Sequence, residues 1–497
     1  MDLERFRLRT FLESLDSSEL EKIDTPVALA DIARILEGNP KAVWFTRAGP
    51  EGASLAGNVA GSRSRLARAF GTTPERLLPE ALARLKGKPE IVEIAKAPCQ
   101  DVVLTEKADL TALPVHLQHG LDGAPYISAS TDFTLDRESG WVNVGMRRLM
   151  LRGRKEAGVD LVAPSDLRAI YLAQAKRGEP LPVAFVVGSN PIDHVAATMR
   201  IPVNEAGLLA SLRGEPLPVV KCVTNDLRVP ADAEYVLEGY FHPAGHVEAE
   251  GPYGEFLGYY GAVKRNPVFH LTAVTHRRDA VFQTATIGGL GLARTDTAQL
   301  CALRTEVTVW RALETAVRET KAVYATPSSG GMYNVRISLK QRVPGEARNA
   351  IAAVFGCLAN AKHVFVMDPD IDVFSDEQVD WAFATRFQAD RDLVVSSGMR
   401  TLPLDPSLDG RTTGSKAGFD LTFKSPETLE HRIPEPPRFD GRRFDSLQAA
   451  LSDGPKYFGE LMAAAGSRDG REIVRELEGL RHSGRLTRDG EGRYLIA

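Results

Sequence analysis

The sequence predicts an α/β-plus-β protein in four parts: an α/β layer over 1–114, a barrel or sandwich of short strands over 115–296, a second α/β layer over 297–431, and a winged-helix-like tail over 440–497. Three observations carry this. Helix-like and strand-like patches interleave at both ends of the first 430 residues. Short β-rich runs separated by turn residues crowd the middle. Three prolines within Arg432–Pro437 then break the chain before a small terminal segment. At roughly 100–200 residues per domain, 497 residues allow such a division.

In the first part, Phe6, Leu8, Phe11 and Leu12 share one helical face, and Ala42–Phe45 is a short apolar strand. Leu55–Arg63 is a glycine-punctuated turn leading into a helix over Leu66–Phe70. In the middle, Tyr126–Leu135, Trp141–Leu151, Pro182–Val187, Val219–Val223, Tyr235–Tyr240 and Val268–His276 read as strands. One helix, Ser165–Lys176, interrupts them. In the third part Val307, Trp310, Leu313 and Val317 follow helical spacing, and His363–Met367 reads as a buried strand. Ser375–Gln378 has the form of a capping box. In the tail, Phe458, Leu461, Met462 and Ala465 form one helical face and Ile473, Leu477 and Leu480 another. Arg485–Ile496 reads as a two-stranded ribbon turning at Asp489-Gly490.

Hydrophobic residues make up 43 % of the chain and charged residues 25 %, which excludes a largely disordered protein. The net charge of −4 argues against a globally basic nucleic-acid or membrane-surface binder. The four cysteines form no C-x-x-C pair, so neither a zinc knuckle nor a disulfide framework is expected. No apolar run approaches the roughly 18–20 residues of a spanning helix, and the N-terminus lacks a signal-peptide core. These features predict a soluble cytoplasmic protein.

No P-loop, H-E-x-x-H or G-x-S-x-G motif is present. Gly288-Gly-Leu-Gly291 lacks the third spaced glycine of a dinucleotide fingerprint. Glu250 and Glu255 lie in a segment that Gly251, Pro252 and Gly254 keep from being helical. A turn-strand there can bring both carboxylates into one pocket, where paired acids push their pKa values apart. The alternative is an acidic surface loop. On the strand Val142–Arg148, period-two alternation places Asn143, Gly145 and Arg147 on one face and Arg148 on the other, unless a bulge intervenes. Taken alone, these arginines also fit a solvated strand face. Asn143, Asp166 and Glu205 could form an all-oxygen site suited to Mg²⁺ or Mn²⁺. The pairs His116/His119 and His242/His246 sit among helix breakers, which argues against a histidine metal site.

At these clusters the chain resembles the UbiD-like family of prenylated-FMN-dependent (de)carboxylases. The resemblance rests on Gly57–Arg63, Asp122–Ile127, Asn143–Arg148, Ile201–Gly207, Glu250–Glu255 and Gly414–Asp420, and it covers most of residues 1–430. It implies a flavin-binding split β-barrel between two α/β domains, the second mediating dimerisation. It implies that Arg148 pairs with Glu250 and tunes Glu255, which protonates the substrate carbon after CO₂ leaves. A general acid must hold a proton at working pH, and a neighbouring anion would raise its pKa. Asn143 and Glu205 match two ligands of the divalent ion that grips the flavin phosphate. Asp166 stands where the family commonly has histidine; the other reading is that it caps the helix near Ser165. Ala196, Ala197 and Met199 match positions that hold K⁺. Ser165, Thr198 and Lys416 match flavin contacts. Arg200 replaces a residue that is often apolar, which suits it to contact a substrate or the phosphate.

The implied substrate is an aromatic, heteroaromatic or α,β-unsaturated acid, with Phe256, Leu257, Ile287 and Leu290 as pocket candidates. The implied partners are a flavin prenyltransferase that supplies the cofactor and further copies of the chain, as a homodimer or an assembly of dimers. The tail from Asp440 carries ten basic and ten acidic residues, so a packing or oligomer role is preferred there over nucleic-acid binding. The competing readings are a flavin- or aromatic-acid-binding sensor with a DNA-binding tail, and an ordinary FMN oxidoreductase.

Overall fold

The computed structural model describes residues 2–424 and 428–497. It divides into two compact units, Met1–Thr422 and Phe423–Ala497.

The centre of the first unit is a closed antiparallel barrel of six strands: β1 (Tyr126–Leu135), β2 (Val142–Leu151), β3 (Glu156–Val159), β4 (Leu181–Val187), β5 (Tyr235–Phe241) and β6 (Val268–His276). The order is β5-β4-β1-β2-β3-β6, and pairing of β5 with β6 closes the ring. Two irregularities shape it. Glu238 pairs with Ala273 but Gly239 pairs with Leu271, a bulge that tightens the local twist. A Cβ on Gly239 would lie 2.0 Å from the His270 carbonyl oxygen, so only glycine fits there. On β1, Ser128 and Ala129 together face the single residue Arg148, because Ile127 pairs with Leu149 and Ser130 with Arg147.

The central region holds three helices, not one. α1 (Asp166–Lys176) was expected; α2 (Pro191–Thr198) and α3 (Glu205–Arg213) were not. Both are short and have side-chain N-caps, Asn190 accepting from Ile192 N and Asn204 from Ala206 N. Arg213, at the end of α3, ties the pair together. It donates to both oxygens of Asp193 on α2 at 2.7 and 2.5 Å, and to both of Asp232 at 2.7 and 3.2 Å.

The N-terminal sheet orders Leu20–Ile23, Ala42–Ala48, Ala53–Gly57 and Phe282–Thr284. Its last strand comes from beyond the barrel and pairs parallel with Ala53–Gly57. Ile91–Ile94, Leu217–Lys221 and Arg228–Pro230 form a separate three-stranded sheet, so the run near Val219 is not a barrel strand. The C-terminal layer opens with the 21-residue helix α4 (Asp296–Ala316), capped by Thr295. Five strands follow: Thr320–Ala325, Asn334–Leu339, His363–Met367, Gly414–Asp420 and Leu393–Met399, in that spatial order. The capping box at Ser375 is half formed. Ser375 accepts from Gln378 N, but the Gln378 side chain accepts from Asp372 N instead of returning to Ser375.

The second unit holds helices Leu447–Ser452, Phe458–Ala465 and Arg471–His482 and the ribbon Leu486–Arg488/Tyr494–Ile496. Leu447, Leu451, Leu461, Ile473, Leu477 and Leu480 form its core. Its first helix was absent from the sequence reading. No helix among the described residues is long and apolar enough to cross a membrane.

Candidate active site

Strand alternation on β2 sends Arg147 and Arg148 to opposite sides of the barrel wall, and each organises a separate cluster of acids. On the Arg148 side the guanidinium meets three carboxylates. Its Nε and Nη2 donate to Glu250 Oε1 and Oε2 at 3.0 and 3.2 Å. Its Nη1 donates to Glu255 Oε1, and Nη2 also reaches Asp160 Oδ2 at 3.1 Å. The Tyr253 ring lies beneath it, 4.7 Å from ring centroid to guanidinium carbon. Burial works against the Arg148 charge, but Glu255, Glu250 and Asp160 outweigh it and hold its pKa above the ordinary value.

The two glutamates differ in surroundings. Glu250 is fully buried, and its oxygens also accept from Asn266 Nδ2 at 3.2 Å. Glu255 lies nearer the surface at 5 % exposure. Burial holds Glu255 above the usual carboxylate range, while Arg148 pulls the other way. This corrects the sequence argument: a neighbouring anion is not the main cause of the raised value. Asp160 makes only a lesser upward contribution. Asp160 itself, despite burial, is held low by Arg148 and by Lys264, whose Nζ is 2.8 Å away.

Backbone geometry delivers the glutamates. Gly251 has φ +91°, in the left-handed region that favours glycine. Gly254 N donates to Asp122 Oδ1 at 2.9 Å, and Gly123 N donates to Pro252 O at 2.9 Å. The Asp122–Ile127 and Glu250–Glu255 segments are therefore stitched to each other. A Cβ on Gly254 would sit 2.4 Å from His119 Nδ1, so the histidine packs directly on this backbone. Tyr126, Met150, Tyr253 and Ile287, with Phe256 against them, make an apolar cluster beside the acids. Leu257 lies against Gly330. Leu290 stands fully in solvent, which removes it as a pocket residue.

On the Arg147 side, Asp132 is the organiser, and the sequence reading missed it. Arg147 Nε lies 3.3 Å from Asp132 Oδ1, and Asn143 Nδ2 donates to Asp132 Oδ2 at 2.7 Å. Glu205, the first residue of α3, accepts from Val144 N at 2.5 Å. Burial pushes Glu205 up to about 7; Asp132 and Asp166 add to this, against Val144 N–H and Arg147. Asp166 is the first residue of α1, but Ser165 is its cap, accepting from Arg168 N. Ser165 and not Asp166 is therefore the cap; Asp166 is exposed, and its charge adds to the upward push on Glu205. Two carboxylates that repel each other, together with an amide oxygen, suit a hard cation, whose charge would relieve the repulsion. Among the described residues no three His, Cys, Asp or Glu side chains converge as a metal cluster, so a cation here depends on the Asn143 oxygen. His116, His119, His242 and His246 are each engaged with nearby protein atoms.

Ala196, Ala197, Thr198 and Met199 form the C-terminal end of α2. A helix C-terminus presents carbonyl oxygens and partial negative charge, which suits a monovalent cation. Lys416, on the strand Gly414–Asp420, donates to Phe355 O at 2.8 Å and faces Arg400.

The chain matches the models of the 3-octaprenyl-4-hydroxybenzoate carboxy-lyase N-terminal domain over residues 15–85, Rift-related domain over 90–290 and C-terminal domain over 298–421. It is 32 % identical over 419 residues to the anhydromevalonate phosphate decarboxylase of Methanosarcina mazei, covering 83 % of this chain and 95 % of that protein. The Aeropyrum pernix protein of the same name is 32 % identical over 377 residues, covering 74 % and 82 %. Among solved structures, the UbiD-class enzyme HmfF from Pelotomaculum thermopropionicum in complex with FMN superposes with a TM-score of 0.81 at 32 % identity, covering 86 % of this chain and 97 % of that one. An evolved dimeric form of HmfF in complex with prFMN gives 0.78 at 31 % identity, covering 87 % and 97 %. The open form of the Sedimentibacter hydroxybenzoicus vanillic acid decarboxylase gives 0.79 at 28 %, covering 87 % and 96 %. With all three domain models matched in order along one chain, this protein belongs to the UbiD family and is a decarboxylase of that family.

Proposed function

We propose that the chain catalyses the reversible, non-oxidative decarboxylation of an unsaturated or aromatic carboxylic acid with prenylated FMN, and that Glu255 is the proton donor. The observation that carries this is the Arg148 guanidinium bridging Glu250 and Glu255, with Glu255 held above the usual carboxylate range by burial. Arg148 fixes both glutamates in one plane of donors, and Asn266 completes the shell of Glu250. Glu255 keeps a proton further toward neutral pH than an exposed glutamate does. It transfers that proton to the substrate carbon that has lost CO₂ and is reprotonated from solvent. Tyr253 and the neighbouring apolar side chains keep water from the acids.

When bound, prenylated FMN supplies the electron sink for carbon–carbon cleavage. Asn143, Asp166 and Glu205 would hold a Mn²⁺ or Mg²⁺ ion at its phosphate, and the end of α2 at Ala196, Ala197 and Met199 would hold K⁺. Ser165, Thr198 and Lys416 would contact the flavin. The relatives named for anhydromevalonate phosphate support a substrate that carries a phosphate as well as a carboxylate. A flavin prenyltransferase supplying the cofactor, a homodimer or assembly of dimers, and a cytoplasmic location complete the proposal.

The test is production alongside a flavin prenyltransferase, followed by CO₂ release from candidate acids in D₂O. Deuterium should enter at the vacated carbon. Glu255→Gln should retain flavin and lose roughly 10²–10⁴-fold in turnover, the usual contribution of a positioned acid. Wild-type turnover in that variant would remove Glu255 from the mechanism.

A further inference from the structure

Arg148 has more acid around it than a pair of glutamates requires. Glu250 and Glu255 already engage its Nε, its Nη1 and part of its Nη2. A third carboxylate, Asp160, nonetheless accepts from Nη2 at 3.1 Å. Asp160 follows the last residue of β3, and its other oxygen accepts from Val162 N at 3.1 Å, so its own turn fixes the side chain. The oxygen that meets Arg148 also accepts from Lys264 Nζ at 2.8 Å. Lys264 lies on the short strand Lys264–Asn266, directly opposite Glu250 in its antiparallel pairing with Glu248–Glu250. One two-stranded ladder therefore supplies an acid and a base to the same cluster. Lys264 is the outer member of its pair, with a side chain 25 % exposed against 16 % for Asp160.

A carboxylate is costly to bury unless it is paired, and Arg148 needs no third partner to hold the two glutamates. The charges show what the Asp160–Lys264 pair does. Arg148 and Lys264 are positive; Glu250 and Asp160 are negative. With Glu255 protonated the cluster is neutral, and with Glu255 ionised it carries one net negative charge. Asp160 therefore opposes ionisation of Glu255 and Lys264 favours it, which are the directions in which each acts on that carboxyl. The other ionisable groups nearby are Tyr253 in the same segment, Tyr126 on β1 beside Glu250, and the His119–Asp122 pair against Gly254.

We infer that Asp160 and Lys264 are an opposed pair of positioning residues that set how firmly Glu255 holds its proton, Asp160 acting against release and Lys264 for it. The inference rests on Glu255 as the proton donor only for its catalytic consequence.

The experiment titrates Glu255 in the full chain without flavin. Infrared difference spectra from pH 4 to 8 follow the carboxyl C=O bands, and the band missing from Glu255→Gln is that of Glu255. Asp160→Asn keeps the side-chain shape and the acceptor for Val162 N. Its midpoint should fall by roughly one pH unit, the effect of one charge a guanidinium's width away at an effective dielectric of about 20. Lys264→Met should raise the midpoint, and Lys264→Arg should bring it back. The double variant Asp160→Asn/Lys264→Met loses one charge of each sign, so its midpoint should lie between those of the single variants. In the flavin-loaded enzyme the falling limb of kcat/KM should move to lower pH in Asp160→Asn and to higher pH in Lys264→Met. A merely structural ion pair predicts lower melting temperatures in both single variants with the midpoint unmoved, and that result would overturn the inference. Midpoints that move the same way in both would also overturn it, as would the absence of any titrating band lost in Glu255→Gln. Lys264 reaches solvent, so its two variants decide the matter by themselves if Asp160→Asn fails to fold. The infrared midpoints need no turnover. Failure of the decarboxylase reading shows separately, as wild-type turnover in Glu255→Gln or no CO₂ release from any acid.

Discussion

Arg213→Met tests how the α2–α3 pair is held beneath the site. Arg213 satisfies four carboxylate oxygens of Asp193 and Asp232, and all three side chains are at most 5 % exposed. Methionine fills much of the same space but removes the only positive charge of the triad. Two buried carboxylates then face each other without a counter-ion. Breaking a buried ion pair in this way costs about 3–5 kcal/mol. A unit of this size shifts by roughly 1–2 °C per kcal/mol, below the value for smaller domains, so a drop of about 5 °C is expected. Because α2 carries Thr198 and α3 carries Glu205, FMN affinity should fall with it. The loss has a pH signature. The freed aspartates acquire folded-state pKa values above their unfolded ones, so the folded variant binds extra protons. Its deficit relative to wild type is therefore largest at neutral pH and shrinks as pH falls toward the unfolded value of about 3.9. Thermal melts from pH 4 to 8 measure this. Adding Asp193→Asn and Asp232→Asn removes the stranded charges and should restore more than half of the loss. If the triple variant melts no higher than Arg213→Met, uncompensated charge is not the cause.

Three other outcomes follow from the geometry. The acid form of Glu255 is favoured by burial, so kcat/KM should decline as pH rises through its raised pKa; Glu255→Asp should retain a limb of the same sign, and a flat profile from pH 5 to 8 would contradict the assignment. Gly254→Ala places a methyl 2.4 Å from His119 Nδ1 and should displace the loop carrying Glu255, with turnover falling more than melting temperature; equal activity would show that the loop yields freely. Glu205→Ala should abolish any Mn²⁺-dependent gain in FMN affinity while leaving the Mn²⁺-independent part, read by titration with and without EDTA.

The barrel was legible in the sequence because its strands are long and bounded by turn residues. Tyr126–Leu135 and Val268–His276 have the limits that β-rich composition and turns set for them. Glu250, Glu255 and Arg148 were marked out by the resemblance to the UbiD family; glycine and proline at 250–255 and strand alternation allowed that placement but fitted an acidic surface loop and a solvated strand face as well. α2 and α3 were not legible, since short helices rich in small and apolar residues show little amphipathic period and owe their ends to single Asn caps. Asp132 and Asp160 were invisible for a different reason. Each is a lone acid in a strand or at its end, and its importance comes from a partner across the sheet: Asn143 and Arg147 for Asp132, Arg148 and Lys264 for Asp160. No local pattern marks such residues. Tyr253 lay inside the Glu250–Glu255 motif, but its place under the Arg148 guanidinium needs the fold.

The N-terminal sheet depends on a late arrival. Ala53–Gly57 pairs on one side with Ala42–Ala48, and on the other with Phe282–Thr284, a strand that emerges only after every barrel strand has been synthesised. During translation that flank is therefore an open edge, able to recruit any extended segment until the barrel is complete. A chain truncated before Phe282 keeps that edge for good, so N-terminal fragments of this protein should aggregate where the intact chain does not.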